Sequence, residues 1–99
     1  MRQSARTDPR EHAEILAIRS LAFLAGDMER LEPFLSLTGL AASQLRAAAA
    51  EPGFLPGILE YLTNNESLLI KCALELSVEP TEFARARDAL AGLPPEWGP

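Results

Sequence analysis

The chain has little of what protein chemistry usually requires. Of its 99 residues, one is a cysteine and one a histidine. The lone Cys72 excludes an intramolecular disulfide. With His12 far from it in sequence, no nucleophile is paired with a base. No Gly-rich phosphate loop and no paired metal motif occurs. No apolar run approaches the ~18 residues that a membrane span needs, and no secretory core follows the N-terminal arginines. These absences lead us to expect a protein without cofactor, metal or catalytic machinery, soluble in a reducing cytoplasm and away from membranes. Positive charge is scarce too. The formal net charge is -5, so the electrostatic attraction that drives non-specific binding to phosphate backbones is missing, and nucleic acid is not an expected partner. Only the start of the chain is basic, with Arg2, Arg6 and Arg10 against Asp8. Residues 1–7, polar and without period, read as a flexible, solvated arm.

What the chain does have is helix-forming composition. Hydrophobic residues make up 47% and charged residues 23%, enough apolar content for one folded domain of this length. Alanine and leucine dominate, and both lose little rotamer freedom in a helix. No stretch alternates apolar and polar residues as a half-buried strand does. The fold expected is all-α: one six-helix domain over residues 8–92, followed by a Pro-rich tail, 93–99.

Punctuation divides the helices. Asp8-Pro9-Arg10-Glu11 opens the first, with Asp8 as cap, Pro9 at the first helical position and Glu11 completing a capping box. Ile15, Ile18, Leu21, Ala22 and Ala25 recur at helical spacing, and Leu16, Phe23 and Leu24 widen the stripe, which places this helix near the centre. Gly26 ends it and Asp27 caps the second, whose inward positions are Leu31, Phe34, Leu35 and Thr38. Pro33 implies a later start or a kink there, and Gly39 closes the segment. A third helix over about 42–50 turns Leu45 inward. Pro52 opens a fourth, with Phe54, Leu55, Ile58, Leu59 and Leu62 inward. Asn64-Asn65 breaks the chain before a fifth, marked by Leu68, Leu69, Cys72, Ala73 and Leu76. Pro80 opens a sixth, in which Phe83, Ala86, Arg87 and Leu90 share a face, and Gly92 ends it.

A shift of 38 residues aligns these breaks. Leu21-Ala22-Phe23-Leu24 falls on Leu59-Glu60-Tyr61-Leu62, Asp27 on Asn65, Gly26 on Asn64, Leu31 on Leu69 and Leu45 on Phe83. The chain therefore reads as two tandem three-helix units. Three helices leave an apolar face uncovered, so the units are expected to pack through such faces, with the first and fifth helices as the seam and a groove where they meet.

Three local features bear on function. The segment 34–50 resembles a helix-turn-helix corner, and in a DNA-binding reading Ser43, Gln44 and Arg46 would face bases or phosphates. A structural corner explains the same pattern, and the following Ala47-Ala48-Ala49-Ala50 adds no cation. Asp8, Glu11 and His12 have a spacing that can hold a metal, but helix capping and an exposed histidine account for them. Trp97, in the Pro-rich tail, either docks on the body or contacts a partner. Docking is favoured, because exposure forfeits burial free energy.

Leu21-Ala22-Phe23-Leu24-Ala25-Gly26-Asp27-Met28-Glu29-Arg30-Leu31 and Phe34-Leu35-Ser36-Leu37-Thr38-Gly39-Leu40 resemble a family of small alphaproteobacterial helical proteins, the domain of unknown function family 3572. The resemblance covers about residues 10–91. Members carry Asp-Pro where this chain has Ala41-Ala42, which implies a less firmly started third helix here. No activity, ligand or catalytic residue comes with the resemblance. The function expected is a non-enzymatic protein–protein interaction module of the bacterial cytoplasm, with Trp97 as a candidate partner contact. The alternative is a DNA-binding regulator using Ser43, Gln44 and Arg46.

Overall fold

A computed structural model describes residues 8–91. The arm 1–7, Gly92 and the tail carrying Trp97 lie outside the described residues. Helix α1 spans Pro9–Ala25, with Pro9 at its first position. There a missing N–H costs nothing, because the first turn has no intrahelical acceptors for its donors. The expected cap is corrected: the Asp8 side chain accepts no capping hydrogen bond. Gly26 ends α1 with φ -74°, in the ordinary right-handed region, so no left-handed turn is made there.

The buried face of α1 also differs from the stripe expected. Ala13, Leu16, Ala17, Ser20, Phe23 and Leu24 are buried, whereas Ile15 and Ile18 are 49% and 54% exposed. The helix is apolar around most of its circumference, so periodicity offered two faces. The face used carries the small side chains Ala13, Ala17 and Ser20, which let neighbouring helices approach closely. Ser20 is accommodated because its Oγ donates to the Leu16 carbonyl at 2.8 Å, and this satisfies a hydroxyl that burial would otherwise penalise.

Helix α2 spans Met28–Thr38, capped by Asp27, whose carboxylate accepts from the Glu29 N–H at 3.0 Å. It runs through Pro33 without a later start. The bond that Pro33 forgoes is to the Glu29 carbonyl, and both residues are exposed, so water can satisfy that oxygen. Gly39 ends α2 with φ 78°. The third segment is weak: a 3-10 turn, Ala42–Gln44, followed by a short α3, Leu45–Ala48. With no capping side chain at Ala41, the Gln44 Oε1 accepts from the Ala41 N–H at 2.7 Å instead.

Helix α4 spans Phe54–Thr63 and starts two residues later than expected. Pro52 lies in a turn closed by the Phe54 N–H on the Glu51 carbonyl at 3.1 Å. Pro56, in the first turn, needs no N–H. Helix α5 spans Glu66–Leu76 and ends at Ser77, held at φ 58°. Helix α6 spans Pro80–Leu90. No strand occurs among the described residues.

The offset of 38 is kept at several element boundaries. Met28–Thr38 maps onto Glu66–Leu76, the ends of α1 and α4 coincide, and left-handed residues close both α2 and α5. Leu24 and Leu62 are both fully buried, and Leu45 and Phe83 are both in the core. Phe23 and Leu31 are buried, whereas their counterparts Tyr61 and Leu69 are half-buried. The third members diverge most: Pro80 starts a full helix where Ala42 starts a single turn. The seam is accordingly corrected. Helix α6 packs most extensively on both α1 and α4, which also pack on each other, and the α1–α5 contact is smaller. Of the two third members, α6 has 11 residues and α3 four, so α6 alone is long enough to pack on both α1 and α4.

Candidate protein-interaction groove

Three arginines that look solvated in the sequence reach the C-terminal carbonyls of other helices. Arg30 donates through Nε and Nη2 to the Phe23 carbonyl, at 3.0 and 2.7 Å, with its guanidinium 3.9 Å above the Phe23 ring. Arg19 donates to the Leu76 carbonyl at 3.0 Å, and Arg10 to those of Ala89 and Leu90, both at 3.4 Å. A cation at the negative end of the helix dipole is favourable. Cys72, fully buried, lies with its Sγ 3.9 Å from the Ser20 Oγ. Burial pushes its thiol up to about 11, so it is protonated and inert as a nucleophile near neutral pH.

The surface feature of most consequence lies between the units. Helix α2 faces the end of α4 and the start of α5 across a groove with two connected recesses. The first, about 430 Å³, is lined by Leu37, Gly57, Glu60, Tyr61, Asn64 and Asn65. The second, about 350 Å³, shares Tyr61 and Asn65 and is bounded by Asp27, Pro33, Leu68 and Lys71 among others. Tyr61 is held from beneath. Its ring meets the edge of Phe34 at 5.2 Å, and Phe34 in turn meets Phe54 at 5.9 Å. Leu37, on the lip, is 72% exposed. Charges of both signs rim an apolar floor, a composition suited to an amphipathic segment.

Sequence reasoning expected a groove where the units meet but named none of these residues. The signal was present: Tyr61 is the half-buried counterpart of buried Phe23, so the second unit leaves uncovered what the first covers. Ser43, Gln44 and Arg46 are all exposed on the third segment. The Gln44 oxygen is already bonded to backbone, and α3, four residues long, spans only about 6 Å. Asp8, Glu11 and His12 are exposed on the first turn of α1. Among the described residues no group of three or more His, Cys, Asp or Glu is placed to hold a metal ion, and no helix is long and apolar enough to cross a membrane. Trp97 lies outside the described residues.

No curated protein and no solved structure matches the chain. A family model does match, over residues 10–93 and hence over all six helices, and the chain belongs to the family described as "Protein of unknown function (DUF3572)".

Proposed function

We propose that the protein is a non-enzymatic protein–protein interaction module of the alphaproteobacterial cytoplasm, and that its partner surface is the groove between α2 and the α4–α5 junction. The observation that carries this reading is an apolar lining, Tyr61 on the floor with Leu37 and Pro33 at the edges, left open where two similar helical units meet. Such a floor favours a partner that contributes an apolar helix face, because burial of that area supplies most of the association free energy. The absence of a nucleophile–base pair from the sequence supports the non-enzymatic part of the reading.

The test is capture of partners from the native cytoplasm on the immobilised protein, with mass spectrometry. A specific partner should bind the parent chain and be lost with Leu37→Glu, a change at an exposed site that leaves the fold intact. Partners retained equally by Leu37→Glu and Tyr61→Ala would overturn the groove assignment. The DNA-binding reading predicts a gel shift abolished by Arg46→Ala. We expect no sequence-preferring shift at physiological salt, given the net charge of -5 and the short third segment.

A further inference from the structure

Helix α1 is apolar around most of its circumference, and a helix of that kind is ordinarily buried on every side. Here the core covers one arc only. On the opposite arc Ile15, Ile18, Ala22 and Ala25 are all exposed, the two isoleucines at 49% and 54%. Their spacing of three, four and three residues is the a/d repeat of a two-helix seam. The fold does not call for it. At the offset of 38 the equivalent positions are Gly53, Pro56, Glu60 and Thr63, so the second unit packs without an apolar stripe there. The seam is bounded at both ends. Glu11, the next position of the repeat toward the N-terminus, is charged, and Gly26 ends the helix. From Ile15 to Ala25 it runs about 16 Å.

We propose that this stripe is the contact face of a homodimer, α1 against α1 of a second copy in parallel orientation. The flanking charges select both the occupant and the direction. With Ile15 and Ala22 at a and Ile18 and Ala25 at d, Glu14 takes position g and Arg19 the following e. Those positions meet across a parallel two-stranded seam, so Glu14 faces Arg19 of the partner subunit, and Arg19 faces Glu14 of the partner subunit. Both residues are exposed. Arg19 donates through one nitrogen, Nη2, to the Leu76 carbonyl at 3.0 Å, and its other N–H groups remain to meet a carboxylate. The remaining flanking positions hold His12, Leu21 and Gly26, and only Glu11, at the open end, sets like charges together. Burial of the isoleucines supplies the attraction, whereas the exposed ion pairs fix register and direction. Ala22 and Ala25 let the two helices approach closely. A contact this short falls in the small interface class, under about 1,200 Å² in total, so the dimer is weak and reversible.

The test is sedimentation equilibrium on the full chain, from micromolar concentrations to about 1 mM, a range that resolves weak association. The average mass should rise from one chain toward two and stop there. Ile18→Glu places a charge at an exposed d position and should hold the protein at one chain throughout, with its helical circular dichroism unchanged. Glu14→Arg opposes like charges twice and should weaken association by about tenfold. Direction is read separately, by mild oxidation of Ile15→Cys and of Ala25→Cys. Parallel helices bring each new thiol against its own copy, so each variant should cross-link by itself, while buried Cys72 takes no part. One chain at every concentration would overturn the proposal. So would association past two copies, a dimer that survives Ile18→Glu, or a Glu14→Arg variant that associates as the parent does. Cross-linking only in a mixture of the two cysteine variants would mean antiparallel helices and would overturn it as well.

Discussion

Leu24 and Leu62 occupy matched places in the two units, and neither has any exposed surface. Each lies within the core cluster, so truncation to Ala leaves a void that the surrounding helices cannot readily close. Either Leu24→Ala or Leu62→Ala should cost about 2–5 kcal/mol, as read from the denaturant midpoint at unchanged slope. A cost below about 1 kcal/mol at one site would show that its surroundings are not those of the other. At this scale the sequence was only partly legible. Leu16, Phe23 and Leu24 stood among the expected inward residues of α1, but Ile15 and Ile18 stood there as well. Nothing local separates the two sets, because both lie on apolar arcs of one helix. The roles of Arg10, Arg19 and Arg30 were not legible at all, since their acceptor carbonyls belong to helices that only the fold brings near.

Helix boundaries are governed by short-range chemistry, and most were readable. Asp27, Gly39, the Asn64-Asn65 pair and Pro80 act where the sequence places them. Ser77 is the exception with a consequence. It closes α5 in the left-handed region at φ 58°, where its counterpart Gly39 closes α2 at φ 78°. A side chain there is strained by about 1–2 kcal/mol, whereas glycine avoids the strain but loses more unfolded-state entropy. Ser77→Gly should therefore stabilise the protein by about 0.5–1 kcal/mol net, measured as a raised denaturant midpoint. The reverse change, Gly39→Ser, should destabilise it. The delayed start of α4 follows the same logic. Two prolines four residues apart allow a first helical turn at either, and the turn closed on Glu51 selects the later one.

One buried thiol couples the whole molecule to pH. Burial raises the Cys72 thiol from its ordinary 9.0 to about 11 in the folded state. Between those values the unfolded chain releases a proton that the native chain keeps, so the native state binds more protons and stability falls as pH rises. The contribution of Cys72 should be fully present below pH 9 and progressively lost toward pH 11. Cys72→Ala should flatten that part of the stability–pH curve, in denaturation series run from neutral to alkaline pH. A parallel fall in both proteins would show that other groups account for it.

The sequence by itself determined that the chain is all helical, where most helices stop, and that two similar units follow one another. These are consequences of propensity, capping and turn chemistry within a few residues, and they need no distant partner. Tertiary structure decided which arc of α1 is buried, that α6 rather than α5 closes the two units, and that Tyr61 floors a groove where Phe23 is enclosed. Each depends on how closely helices distant in sequence approach one another. That separation is set by small side chains such as Ala13, Ala17 and Ser20 and by the length of the covering helix, quantities that no local pattern encodes.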